Sequence, residues 1–324
     1  MLQVKNISFS YDEAIILNAV DFEIRPGEHV AVMGESGCGK STLLKIIYGL
    51  LPLESGKIFW KGNEARGPLY NLVPGEPFMK YLSQDFDLMP FTTVRENIAQ
   101  YLSVFYPDEQ EKRTKELLDL TELDAFADIK VKNLSGGQQQ RVALGRVLAQ
   151  KPELLLLDEP FSHIDNFRKN SLRRNLFDYL KNEGITWLTA THDYHDVLPF
   201  ADRVIVLKDK QLVADEPILS LYRRPRELYI ASLFGEANLV PINVLKSYAD
   251  TTRRIIVYAH EFRISDSSGL PVVVQTSYYM GSHYLIKSLA GNDVIYFHSP
   301  TSYELGKNIF LNIAIETINK RMIH

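Results

Sequence analysis

The sequence predicts an α/β protein built on a parallel sheet, followed by a smaller all-β part. Three observations carry that expectation. Short apolar strands alternate with helical stretches between residues 29 and 190. A glycine-rich turn joins the first fully apolar strand to a helix. Past residue 236, short strand-like runs split by Gly, Ser and Asn-Asp replace the helices. Parallel strands are covered by helices on both faces, so they read as continuous apolar runs rather than alternating ones.

In chain order, residues 2 to 24 are β-rich, with Ile7, Phe9 and Tyr11 alternating onto one face. The turn Arg25-Pro26-Gly27-Glu28 leads into a strand over His29 to Met33, a glycine loop, and a helix from Lys40 to about Tyr48. Thr93-Val94-Arg95-Glu96 has the form of a capping box and opens a mostly helical stretch to about Leu123. Ser135-Gly136-Gly137-Gln138 has the same form and opens a helix through about Gln150. An apolar strand over Leu154 to Leu157 follows, then a helix, then a strand over Ile185 to Ala190. The stretch between Gln84 and Leu134 interrupts the alternation and predicts a separate helical lobe, about residues 90–150. After a helical segment near Leu221 to Phe234, four strand-like runs at short spacing predict a small barrel. The domain boundary falls near residue 236, giving 1–235 and 236–324.

At 324 residues the chain is long enough for a large domain and a smaller one, and 45% apolar content supplies an ordinary core. The net charge of −4 gives no electrostatic case for nucleic acid as a partner. One cysteine excludes an internal disulfide framework and suits a reducing compartment. Met1-Leu2-Gln3-Val4-Lys5 reads directly into a strand, with no apolar signal core. The uncharged stretch from Ser267 to Ile286 contains Pro271, Gly281 and His283, and its Val and Tyr content favours strands over a spanning helix. No segment is predicted to cross a membrane.

The chemistry sits in the loops. Gly34-Glu35-Ser36-Gly37-Cys38-Gly39-Lys40-Ser41-Thr42 fits the phosphate-binding pattern of a glycine loop between a strand and a helix. Glycines let backbone N–H groups turn inward around phosphate oxygens, and the helix adds its positive N-terminal end. Lys40 is positioned to reach the β- and γ-phosphates, and the Ser41 hydroxyl to bind Mg²⁺. Cys38, at the same helix N-terminus, is expected to favour its thiolate without a catalytic task. Four leucines deliver Asp158 and Glu159 to a sheet edge, where Asp158 can hold Mg²⁺ and Glu159 can polarise an attacking water.

With these motifs goes Leu134-Ser135-Gly136-Gly137-Gln138, and together they resemble the ATP-binding subunits of ABC transporters over about residues 1 to 235. The resemblance implies a P-loop NTPase core with an antiparallel β subdomain and a helical lobe, plus a small OB- or TOBE-like C-terminal domain. It implies that Ser135, Gly136, Gly137 and Gln138 form the signature loop, which meets the γ-phosphate held by a second subunit. Gln84 matches the Q-loop glutamine, a Mg²⁺ and water sensor, and His192 the switch histidine bonding the γ-phosphate. Ser162-His163-Ile164-Asp165 resembles the D-loop, with His163 expected to pack at the surface. Tyr11 matches the aromatic that stacks on adenine, although its alternation with Ile7 and Phe9 equally suits a buried sheet face. The apolar cluster Phe86, Leu88, Met89, Pro90 and Phe91 either packs against the helical lobe or docks a helix of the membrane subunit.

The activity implied is ATP hydrolysis coupled to transport: two copies pack head to tail on two ATP molecules with Mg²⁺ and drive separate permease subunits. The C-terminal part favours an importer for polyamine, ferric iron, sugar, sulfate or molybdate, served indirectly by a solute-binding protein. Such a subunit lies peripherally on the cytoplasmic side of the inner membrane. An exporter or lipoprotein-extracting ATPase, and a soluble ABC mechanoenzyme, are the other readings.

Overall fold

The computed structural model describes residues 1–245, 251 and 253–322. They form two compact units, Met1–Ile218 and Leu219–His324, so the division falls upstream of the change in sequence texture.

The first unit begins with an antiparallel hairpin, β1 (Leu2–Tyr11) and β2 (Ala14–Ile24). With β4 (Ser55–Trp60) and β5 (Asn63–Glu64) it makes a four-stranded sheet in the order β2-β1-β4-β5. Ile7 and Phe9 are buried there, whereas Tyr11 at the strand's end is 45% exposed. The main sheet has six strands: β3 (His29–Met33), β6 (Met79–Leu82), β7 (Leu154–Asp158), β8 (Thr186–Ala190), β9 (Arg203–Lys208) and β10 (Gln211–Pro217). Their order is β10-β9-β3-β8-β7-β6, parallel except for the β9–β10 hairpin. Every residue of β3, β7 and β8 is buried, as central parallel strands require.

Helices cover this sheet. α1 (Lys40–Tyr48) turns Leu43, Leu44, Ile46 and Ile47 inward. α2 (Val94–Ala99) and α4 (Gly136–Leu148) start at complete capping boxes, Thr93 with Glu96 and Ser135 with Gln138. The stretch expected to be mostly helical to Leu123 is two helices, α2 and α3 (Pro107–Leu120), with Pro107 at the first helical position of the second. α5 (Asn166–Asn182) runs between β7 and β8.

The second unit carries α6 (Ile218–Arg223), α7 (Leu228–Ser232) and a pair of antiparallel strands, β11 (Ala237–Pro241) and β12 (Arg254–Tyr258), with α8 (Ile242–Leu245) after β11. A curled five-stranded antiparallel sheet follows, formed by β13 (Arg263–Ser265), β14 (Leu270–Tyr279), β15 (Tyr284–Ala290), β16 (Asp293–Ser299) and β17 (Asn308–Asn312) in the order β13-β17-β14-β15-β16. α9 (Ile315–Met322) ends the described chain. The stretch from Ser267 to Ile286 is thus occupied by β14 and the start of β15. Among the described residues no helix is long and apolar enough to cross a membrane. Val257, Val272, Val274, Ile286, Phe297 and Leu311 centre a separate core.

Candidate functional site

Parallel strands end together, and their carboxyl ends gather the loops that act on ligands. The register shows which loops meet. Leu82 pairs with Leu157, Asp158 with Ala190, and Val32 with Ala190. The glycine loop after β3, Gln84 after β6, Glu159 after β7 and His192 after β8 therefore leave the same edge of one sheet.

The glycine loop is shaped by backbone more than by side chains. Gly34 is buried, and a Cβ there would stand 2.4 Å from the Leu207 carbonyl oxygen and 2.7 Å from Cys38 Sγ. Gly37 has open space around it, yet its φ of +82° lies where side-chain-bearing residues are strained. The result is a cradle with a close-packed floor and a clear mouth, which fits a chain of phosphates. Lys40 Nζ donates to the Gly34 and Glu35 carbonyl oxygens at 2.8 and 2.9 Å, so its ammonium caps the loop. Glu35, Ser36 and Gly37 are exposed along the rim, and Gly39 and Lys40 are buried. Ser41 and Thr42 open α1 directly behind them.

Ser41 Oγ donates to Asp158 Oδ1 at 2.9 Å, and the Tyr81 hydroxyl donates to Asp158 Oδ2 at 3.1 Å. Burial raises the Asp158 carboxyl above its ordinary range, opposed by these two hydrogen bonds. Burial likewise pushes the Tyr81 phenol up, assisted by the Asp158 charge, so it stays a donor. Among the described residues no group of three or more His, Cys, Asp or Glu could hold a metal ion. A hydroxyl beside one carboxylate fits Mg²⁺, which takes few protein oxygens and completes its shell with phosphate and water.

Glu159 adopts φ +50°, in the left-handed region, directly after the strand. Its N–H donates to the Ala190 carbonyl oxygen at 2.9 Å, and its own carbonyl oxygen accepts from Gln140 Nε2 at 2.9 Å. The Glu159 carboxylate meets His192 Nδ1 at 2.7 Å. The carboxylate is largely covered, whereas the His192 side chain is 70% exposed. A carboxylate and an imidazole facing each other beside a phosphate cradle can orient a water and hold a proton.

The signature residues lie on a different surface. Ser135 caps α4, its N–H bonded to Gln138 Oε1 at 2.9 Å. Gly136 faces open space, but a Cβ on Gly137 would stand 2.6 Å from the His163 carbonyl oxygen. Glycine is required there for α4 to approach the 162–165 loop. Gln140 locks the same contact by accepting from the His163 N–H at 3.0 Å. The His163 ring packs edge-on against Phe86 at 5.4 Å.

Tyr11 stands at the end of β1 with its ring edge-on to Phe9 at 4.9 Å. Its exposure leaves a face free of the core. The cluster after Gln84 divides: Phe86 and Leu88 pack against the helical-lobe core, whereas Phe91 is 71% exposed. Cys38 corrects the expectation of a favoured thiolate. Its burial raises the thiol above its ordinary value, outweighing the Lys40 charge.

Sequence reasoning did not single out Tyr81, Gln140, Arg173, Asp193 or Asp196, each of which holds a site residue or its loop. Tyr81 lay in a short strand and Gln140 in a helix-period run, where nothing in the local pattern sets them apart.

The sequence pattern of the ABC transporter family matches residues 17–162. The chain is 32% identical over 292 residues to the Fe(3+) ions import ATP-binding protein FbpC 2 of Haemophilus influenzae, covering 85% of this chain and 82% of that protein. It is 29% identical over 326 residues to FbpC of Pasteurella multocida, covering 93% and 92%. Among solved structures it resembles the dimeric post-hydrolysis state of the ATP-binding cassette MJ0796 bound to ADP and Pi, with a TM-score of 0.59 and 31% identity over 67% of this chain and 99% of that one. The cbiO1 cassette of Clostridium perfringens gives the same TM-score at 27% identity, covering 68% and 90%. With its phosphate cradle, its paired acids and its capped glycine helix, the chain belongs to the ABC transporter family, as an ATP-hydrolysing subunit of the importer type.

Proposed function

We propose that two copies of this chain, each closing on ATP and Mg²⁺, power the import of ferric iron through separate permease subunits. The observation that carries the ATPase part is the convergence of Lys40, Ser41, Asp158, Glu159 and His192 on one sheet edge. The cargo follows the relatives, which are named for Fe(3+) import.

Lys40 and the 34–42 amides bind the phosphates, Tyr11 stacks on the adenine, and Ser41, Asp158 and Gln84 hold Mg²⁺. Mg²⁺ held by these residues would supply positive charge against the developing negative charge of the phosphates. Glu159 accepts a proton from the attacking water, and His192 fixes the γ-phosphate while keeping the Glu159 carboxylate in line. The helix start at Ser135–Gln138 offers its amides to the γ-phosphate on a second copy, so ATP joins two protomers and its cleavage releases them.

The ATPase part is the first unit, with a helical lobe near 90–150, and the second unit, Leu219–His324, within which the boundary expected near 236 falls, is an accessory domain. A groove of about 130 Å³ beside Tyr48, Tyr81, Phe86, Tyr101 and Arg146 has room for one side chain from a short helix of the permease lying across it. The chain then lies peripherally on the cytoplasmic face of the inner membrane, with a solute-binding protein serving the opposite face.

The Glu159→Gln chain tests this reading by light scattering. With Mg²⁺ and ATP it is expected to run as a dimer, and with EDTA or AMP as a monomer. A monomer under every condition, with the permease present, refutes the shared-nucleotide engine. Ferric uptake lost on gene deletion and restored by the wild-type chain tests the cargo.

A further inference from the structure

His192 has little packing of its own: its side chain is 70% exposed, so the backbone of residues 191–193 sets where the ring points. Both neighbours of His192 are tied to one buried cation. Arg173 on α5 donates from Nε to Asp196 Oδ1 at 2.5 Å and from Nη2 to Asp193 Oδ2. Thr191 Oγ1 donates to Asp196 Oδ2 at 2.8 Å, and the Asp193 N–H donates to Thr191 Oγ1 at 3.0 Å. Lys169, one turn earlier on α5, lies 3.5 Å from Asp193, and His195 meets the other Asp193 oxygen at 2.9 Å.

The Arg173 and Asp196 side chains are 4% and 3% exposed. Stability alone gives little reason for such an arrangement, since a buried ion pair often contributes no more than apolar residues of equal volume. What the planar fork does add is direction, because two carboxylates on one guanidinium cannot slide independently. Burial would raise the Asp193 carboxyl, but hydrogen bonds from the His195 backbone and ring, with the Arg173 charge, hold it at about 2. The Asp193 half of the anchor is therefore charged throughout the physiological range, while burial raises the Asp196 carboxyl against the Arg173 charge and the Thr191 hydrogen bond.

We propose that Arg173 is a positioning residue for hydrolysis, holding the 191–193 backbone so that His192 stays in register with Glu159. This rests on the ATPase reading of the site. α5 leaves the 162–165 loop, which Gln140 fastens to the Glu159 carbonyl oxygen. Arg173 thus closes a circuit from Glu159 through α5 to His192. Lysine retains the charge but lacks the planar fork that fixes the directions of both carboxylates, so charge alone does not substitute.

The test is MgATP hydrolysis by the full-length chain carrying Asp193→Asn or Arg173→Lys, each also placed on a His192→Ala background. Displacing a reacting group by about 1 Å costs up to ~10²-fold, so each single change is expected to lower kcat by about 10- to 100-fold. Affinity for a fluorescent ATP analogue should stay at the wild-type value. On the His192→Ala background neither change should lower the rate further, because both act through that ring. Wild-type kcat in both variants overturns the proposal. So does a loss that persists in full without His192, or one that merely follows the fraction of folded protein. A wild-type chain that does not hydrolyse MgATP sinks the ATPase reading itself, and a neutral His192→Ala sinks the role given to that histidine.

Discussion

The two units solve the same problem, burying apolar sheet, in ways that leave very different surfaces for chemistry. In the first, parallel strands terminate at one edge, so residues far apart in sequence, such as Lys40, Asp158 and His192, arrive together. In the second, antiparallel neighbours send their loops to both edges, and polar rings from helix, turn and strand meet instead. There, Tyr222 from α6, Tyr258 and His298 from strands, and His260 and His283 from turns form a run of ring contacts around the strand ends, with Tyr222 and Tyr258 stacked at 4.7 Å and His283 against His298 at 3.9 Å. Arg321 lies over the Tyr258 ring and pairs with Glu261 at 2.7 Å. Buried charge in the first unit orients a reacting group; in the second it joins α9 to the 259–261 turn. Sheet direction decides which outcome is open.

The strongest challenge to this contrast is to remove a core side chain from the second unit alone. Phe297 is fully buried at its centre, and Phe297→Ala should destabilise that unit by about 3–5 kcal/mol. Proteolysis should then begin in residues 219–324 while nucleotide affinity persists; equal loss of both breaks the contrast. Next comes the reacting edge. Glu159→Gln should lower kcat by about 10²-fold or more with ATP still bound, and steady-state hydrolysis near the wild-type rate removes Glu159 from the mechanism.

Acid provides a finer probe. His29 is fully buried against Trp187 and Phe177, with Nδ1 at 2.9 Å from the Phe200 carbonyl oxygen, and burial lowers it to about 3. The unfolded chain takes up this proton near pH 6.5 while the folded one stays neutral. Stability is therefore complete above pH 6.5 and falls as pH drops toward 3, by up to ~1.4 kcal/mol per pH unit. His29→Phe should flatten thermal melting of the first unit between pH 6.5 and 5, and an unchanged slope would assign the acid sensitivity elsewhere. The smallest effect concerns Tyr11. Tyr11→Ala should weaken ATP binding by about 1 kcal/mol, roughly fivefold, without changing the preference for triphosphate over monophosphate. Unaltered affinity would return Tyr11 to a purely structural place beside Phe9.

Much of this was legible in the sequence because single local rules governed it. The capping boxes at Thr93 and Ser135, the leucine run before Asp158 and the glycine loop each state their geometry within a few residues. The break between α2 and α3 is hidden in the sequence because exposed Tyr101, Val104 and Phe105 stand at helix-like spacing. Cys38 misled for a related reason: helix position is visible in sequence, but the enclosing atoms are not. Arg173, Asp193 and Asp196 lie beyond local rules altogether, since nothing near Arg173 announces acids twenty residues later. Pairings formed by tertiary approach have no spacing to read.

Lys40 carries one last consequence. Its ammonium already commits two of its three N–H donors to the carbonyl oxygens of its own turn, so a nucleotide does not meet a bare cation. Capture becomes a swap of partners, close to neutral in net bonding. Leaving is then a swap of the same kind. Such symmetry suits a motor part that has to let go of its fuel once per stroke.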